Sequence, residues 1–193
     1  MNSFEIFRLT SILVVLFIST AAYLAEHFKR KYASGKSKEL PTSKNFSYAY
    51  PAIQLLLVIS ALDAATFKMG IIFEGEIIHK IGISLMFFGL FIFVIAKRHL
   101  GKNYAPCFDA YVPFKIVKVG IYRWIRHPIY TANSIAVAGV FLGTGHIFAL
   151  IALVILTGFY FTSARIEEIV LAQNFPEYRE YQGTSFRFIP FII

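Results

Sequence analysis

The chain has 193 residues, 57% of them apolar and only 16% charged, with a mean hydropathy of +0.62. That balance does not suit a surface solvated by water, and it removes soluble-domain, disordered, collagen-like and coiled-coil readings. The single cysteine, Cys107, forbids an internal disulfide and a CxxC redox or zinc motif. The formal charge of +8 becomes informative only once its nineteen Lys and Arg are located.

Long apolar runs come first. Leu9 to Ala25, Tyr50 to Phe67 and Ile77 to Ala96 are each long enough, at about 1.5 Å per helical residue, to cross or nearly cross a hydrocarbon core of about 30 Å. The first is expected to stay as a retained helix: Glu5 and Arg8 make a weak leader flank, and no small-x-small cleavage site precedes a soluble domain. Pro128 to Leu142, the turn Gly143-Thr-Gly-His146, and Ile147 to Ala164 read as a helical hairpin. The expectation is an all-α polytopic membrane protein of about five spans, the fourth the shortest. It would form one integral domain over 1–193, with three helices in 1–96 and a functional core in 97–193 carrying a pocket at the cytosolic rim.

Charge sets the orientation, because Lys- and Arg-rich loops stay on the cytoplasmic side. Lys29, Arg30, Lys31, Lys36, Lys38 and Lys44 follow the first span. Lys97, Arg98, Lys102, Lys115, Lys118, Arg123 and Arg126 follow the third, and Arg165, Arg179 and Arg187 lie in the tail. The N-terminus is therefore expected outside and the C-terminus inside. Sixteen of the nineteen basic residues then face the cytoplasm, which assigns the charge to topology and anionic headgroups and leaves nucleic-acid binding unnecessary.

Two polar segments on that side, 97–130 and 163–193, are where chemistry is expected. In Lys118-Val-Gly-Ile-Tyr-Arg-Trp-Ile-Arg-His-Pro-Ile-Tyr-Thr-Ala-Asn133, Gly120 permits a turn of positive φ and Pro128 suits the first turn of a helix. Arg126 and His127 then sit at a helix N-terminus that favours an anion, with Tyr130 and Asn133 three residues apart on one face. An ordinary interfacial belt of Arg, Trp and Tyr is the simpler alternative. Arg165-Ile-Glu167-Glu168 places two carboxylates at the inner end of the last span, at the depth of Lys97, Arg98, Arg126 and His127. Adjacent carboxylates there need cations or water, so they mark either a charged pocket or a solvated helix end. Phe175, Tyr178 and Tyr181 form an aromatic stripe that suits core or interface packing, or adenine stacking. Rossmann and phosphate-loop patterns are absent from the sequence. His27, His79 and His99 lack metal-ligand spacing, so no metal site is expected, and His146 reads as an exposed turn residue. Asp63, inside the second span, calls for water access or a local hydrogen bond.

Taken together, Gly120-x-Tyr122-x-x-x-Arg126-His-Pro-x-Tyr130, a helical hairpin, Glu167-Glu168 and Phe175-Pro-Glu-Tyr-x-x-Tyr181 resemble the isoprenylcysteine carboxyl methyltransferases and the related membrane phospholipid methyltransferases. The likeness covers about 97–193, and the short chain of five expected spans is like prokaryotic members of the family. It implies S-adenosylmethionine as methyl donor, released as S-adenosylhomocysteine, and bound at the cytosolic rim. Lys115, Ile116, Val117, Gly120, Tyr122, Arg126, His127, Pro128, Tyr130 and Asn133 resemble donor-binding positions, and Glu167 resembles the holder of the donor's amino group. Arg98 and Arg165 resemble arginines at the acceptor's carboxylate. Glu168 is available to take a proton if the acceptor is an amine. The implied partners are the bilayer and a lipophilic or prenylated-peptide acceptor, with no implication for oligomeric state. Lipid-amine N-methylation, an NADPH-dependent isoprenoid or sterol reductase, and a small transporter remain as alternatives.

Overall fold

The computed structural model describes residues 3–33, 42–104 and 115–190, with side chains 26–48 and that of Lys102 outside the description. The linker 34–41 and the stretch 105–114, which holds Pro106, Cys107 and Pro113, also fall outside the described residues. Six helices carry the rest: α1 Ser3–Ala33, α2 Thr42–Ala65, α3 Glu76–Leu100, α4 Pro128–Thr144, α5 Ile147–Asn174 and α6 Tyr178–Thr184. Short 3-10 turns occupy Gly101–Asn103 and Gly120–Arg123. The all-α expectation holds among the described residues, where only two isolated bridges interrupt it.

Three helices are long and apolar enough to cross a membrane: Ser3–Ala25 of α1, all of α3 and all of α5. Five spans were expected. The apolar part of α2, Ala49–Ala65, is shorter, and α4 has 17 residues, at the low end of the usual crossing length of about 17–25. The outward faces of α1, α3 and α5 are greasy. Phe17 is 74% exposed, Phe91 62% and Val154 64%, large apolar side chains whose exposure suits lipid and not water. The chain is an integral membrane protein.

Lipid tails are as apolar as leucine, so helices in a bilayer associate through close packing and interhelical hydrogen bonds rather than hydrophobic burial. The α3–α4 crossing shows the first device. A Cβ added to Gly82 would come within 2.3 Å of the Gly143 nitrogen, and one on Gly139 within 2.3 Å of the Met86 nitrogen. Only hydrogen at these positions lets the two backbones touch. Gln54 shows the second, donating across α2–α1 to Ser19 at 3.2 Å. Ile12 and Leu16 of α1, Leu57 of α2, Met86 of α3, Val140 of α4 and Leu156 of α5 meet at the centre of the bundle.

The end remote from the basic loops is tied by buried polar groups. His146, expected to be exposed, is only 1% exposed. Its Nδ1 accepts from the Phe148 amide, which assigns the proton to Nε2, and Nε2 donates to Asp63 at 3.0 Å. Asp63 also accepts from the Gly70 amide at 3.0 Å, so the local hydrogen bond is what accommodates this carboxylate in the span. The turn cannot present His146 to solvent because residues 70–72 pair with it: Ile72 donates to the Gly145 carbonyl and Ile147 to the Gly70 carbonyl. His79, with no partner visible in the sequence, lies 2.9 Å from the Leu142 carbonyl through Nδ1. These bonds set the depth of the α4–α5 hairpin and so the position of its opposite end.

Candidate functional site

That opposite end begins with a forced turn. Gly120 has φ +60°, and a Cβ there would fall 2.2 Å from the His99 ring, so the 3-10 turn can fold back against the end of α3 only with glycine. Pro128 follows as the first residue of α4, and His127 is its N-cap residue with no side-chain cap bond. The imidazole is therefore left to face the α5 carboxylates.

Glu168 is 3% exposed and closely held. Arg126 Nε donates to it at 2.8 Å and Arg187 Nη2 at 2.6 Å, and His127 Nε2 lies 3.2 Å from it. Gln182 Nε2 approaches its second oxygen at 3.5 Å. Two guanidiniums compensate a charge that would otherwise be costly to bury, and removing one partner from such a group typically costs about 3–5 kcal/mol. Arg126 is further tied to the carbonyls of Gln182 and Ser185. The hydrogen bonds from Arg187 to Glu168 raise the Arg187 pKa.

Glu167 is turned differently, because successive helix residues point about 100° apart. Its carboxylate accepts from the Tyr130 hydroxyl and lies 3.6 Å from His127 Nδ1. The His127 ring stacks on Tyr130 at 5.3 Å, and Tyr130 on Tyr160 at 4.4 Å. Asn133 donates to the Tyr160 hydroxyl at 2.8 Å. Below this rim, Tyr181 donates to the Tyr122 carbonyl. Burial raises the pKa of Tyr181 to about 12 and pushes Tyr122 and Tyr178 higher still, so these hydroxyls keep their protons at neutral pH.

A cavity of about 470 Å³ opens onto this cluster. Its charged end is lined by Lys97, Lys115, Ile116, Val117, Tyr122, Arg126, His127, Tyr130, Asn133, Glu167, Tyr178 and Tyr181. Its other end runs down between Leu16, Leu57, Met86, Val140 and Leu156. Nine of the eleven positions that resemble donor-binding residues thus meet at one place, although they come from two distant segments. Gly120 and Pro128 shape the wall without lining it. Arg98, Arg165 and Glu168 are not brought in. Arg98 is exposed one residue past Lys97, Arg165 is exposed over the Phe161 ring at 4.4 Å, and Glu168 points to its arginines.

Some participants had little or no signal in the sequence. Lys97, not Arg98, is the α3 cation in the cavity, over the Tyr104 ring at 4.5 Å. Arg187 reaches Glu168 from the C-terminal segment, where nothing in the local pattern marks it. Tyr160 lies mid-span, and its stacking partner is thirty residues away in sequence. Tyrosine and asparagine inside an apolar span were the one available hint.

The described residues thus set a charged rim over an apolar shaft within one helical bundle. The pattern of the phospholipid methyltransferase family matches residues 77–178, which is just over half the chain, and the chain belongs to that family. The family falls within the isoprenylcysteine carboxyl methyltransferase-like clan of membrane methyltransferases. No curated protein matches the chain.

Proposed function

We propose that the protein transfers a methyl group from S-adenosylmethionine to the polar head of a lipid-like acceptor at the cytoplasmic leaflet. The observation that carries this is the cavity, which joins His127, Tyr130 and Glu167 at its rim to an apolar shaft. The donor set fits the cofactor's chemistry. Glu167, with one oxygen held by Tyr130, suits an ammonium. Tyrosine faces suit an adenine and a positively charged sulfonium. Bound there, S-adenosylmethionine supplies a methyl group activated by its positive sulfur.

The chain's own contribution is alignment and exclusion of water, which in-line displacement requires. The stack His127–Tyr130–Tyr160 fixes one wall, and the Glu168 clamp holds His127 in place. An amine acceptor is the first reading, since the lining holds one arginine among the described residues and its guanidinium is engaged by Glu168, Gln182 and Ser185. Such an acceptor must lose a proton, and His127 is the imidazole facing the cavity that can take it. Glu168, bound to two arginines, is a positioning residue in this reading. A carboxylate acceptor, as in prenylcysteine, is the second reading; it needs no base, and Lys97 at the cavity supports it.

Calorimetry with S-adenosylmethionine and NADPH, followed by methyl-transfer assays on phosphatidylethanolamine, prenylcysteine and isoprenoid acids, tests the proposal. Binding of NADPH alone would replace it with a reductase. Binding of neither, with no methylated product, would return the cavity to a transport or structural role.

A further inference from the structure

Resting on the methyltransferase reading, we infer that Gln54 of α2 is a specificity-determining residue, which accepts a hydrogen bond from an O–H or N–H in the acceptor's backbone just below its polar head. Among the described residues, two buried side-chain atoms without a hydrogen-bond partner, Gln54 Oε1 and Asn103 Oδ1, belong to residues that line the cavity. Both are carbonyl oxygens. Asn103 follows α3 at the charged rim, whereas Gln54 stands within the apolar part of α2, where an amide is costly unless something bonds it. Its neighbours fix which way the amide faces. Ser19 donates its hydroxyl to the Leu16 carbonyl at 2.9 Å, so towards Gln54 it can only accept, and Gln54 Nε2 meets it at 3.2 Å. Nε2 also donates to the Tyr50 hydroxyl at 2.7 Å. The donor end of the amide is satisfied within the protein and the acceptor end is not.

Depth and chemistry select what completes it. Gln54 and Ser19 lie three residues rimward of Leu57 and Leu16, and Tyr160 lies four residues rimward of Leu156, so the three share a level about one helical turn from the centre of the bundle. Leu90 of α3 and Val137 of α4, which also line the cavity near this level, bring no polar group. Along α5, Glu167 stands seven residues beyond Tyr160, about 10 Å nearer the charged end. A lipid whose head reacts beside Glu167 and His127 therefore brings its glycerol or amide linkage to the level of Gln54. The ester carbonyls of a diacyl phospholipid would meet another carbonyl there. The free hydroxyl of a lysolipid, or the amide N–H of a sphingoid-type lipid, would donate to it. Because Gln54 lies outside the family-matching segment 77–178, this preference belongs to the chain's own second helix and not to the family pattern.

Matched acceptors test the inference. A lysophosphatidylethanolamine should be methylated with a kcat/KM about tenfold above that of its 2-deoxy analogue, the discrimination expected of one hydrogen bond. In Gln54→Met, which keeps the length of the side chain and removes its carbonyl, that ratio should fall to about one through loss on the hydroxyl-bearing acceptor. Ceramide phosphoethanolamine against diacyl phosphatidylethanolamine repeats the comparison with an amide N–H, and a preference confined to one pair identifies the donor. Leu55→Met, at an exposed neighbour that does not line the cavity, should change neither ratio. A purely structural role for Gln54 would lower both members of a pair alike, and a water bonded to Oε1 would serve both alike. Equal turnover of both members of both pairs by the wild type, or an unchanged ratio in Gln54→Met, would therefore overturn the inference. Native mass spectrometry supplies a readout that needs no catalysis. The wild type should retain the lysolipid in preference to its deoxy analogue and Gln54→Met should not, and equal retention, or retention of neither, would also overturn the inference. Absence of methyl transfer by the wild type to every acceptor would count against the proposed function, while the retention comparison would still decide the role of Gln54.

Discussion

At the scale of single residues, two neighbouring glutamates carry opposite duties. Glu167 faces the cavity, and Glu168 closes a buried cluster of Arg126, His127 and Arg187. Glu167→Gln should weaken S-adenosylmethionine binding by about 1–3 kcal/mol, the usual cost of losing one partner of a buried polar group, with little change in thermal stability. Glu168→Gln should do the reverse in order of severity. It leaves two guanidiniums facing a neutral amide, so the melting temperature should drop first, with a loss of about 3–5 kcal/mol. Calorimetry and thermal unfolding on the two variants separate these outcomes. Arg98→Ala should leave donor affinity unchanged, because the side chain is exposed and lies outside the cavity.

At the scale of elements, the α3–α4 pair behaves as one unit because glycines let its backbones meet. Gly139→Leu puts a branched side chain where a Cβ alone would lie 2.3 Å from the Met86 nitrogen. Overpacking of this kind costs about 1–3 kcal/mol or more, and the expected result is a lower melting temperature together with lost donor binding, since α4 carries His127 and Tyr130. The C-terminal segment acts as a strap. Arg126 and His127 donate their amides to the Phe186 and Arg187 carbonyls at 2.8 and 3.0 Å, and Thr131 donates its hydroxyl to the Phe188 carbonyl at 2.9 Å. Truncation after Thr184 should therefore abolish donor binding while the six-helix pattern survives by circular dichroism. Retained affinity would show that the strap is dispensable.

At the scale of the whole molecule, one cavity joins a charged rim to an apolar shaft. The bundle is tied at one end by Asp63–His146 and Lys80–Phe4 and opens at the other around the rim. The basic residues that follow the first and third apolar runs give, by the positive-inside rule, the expectation that this rim faces the cytoplasm. Reporter fusions at the C-terminus should accordingly be active only as cytoplasmic reporters; an active periplasmic or lumenal reporter would invert the topology and with it the source of the donor.

Several features were legible along the chain because they depend on neighbours in sequence. Apolar runs set the helices, Pro128 set the start of α4, Gly120 set the turn before it, and the spacing from Gly120 to Tyr130 and the adjacent glutamates marked the rim. Helix boundaries were read short, since hydropathy sees only the lipid-crossing part, while α1 continues to Ala33 and α2 begins at Thr42. Other features required three dimensions. Which of Glu167 and Glu168 faces the cavity, why Lys97 enters and Arg98 does not, how His146 is buried, and how Arg187 reaches Glu168 all depend on helix rotation and on contacts between remote segments. In a bilayer those contacts are chosen by close packing and a few polar bonds, and neither leaves a periodic trace in the sequence.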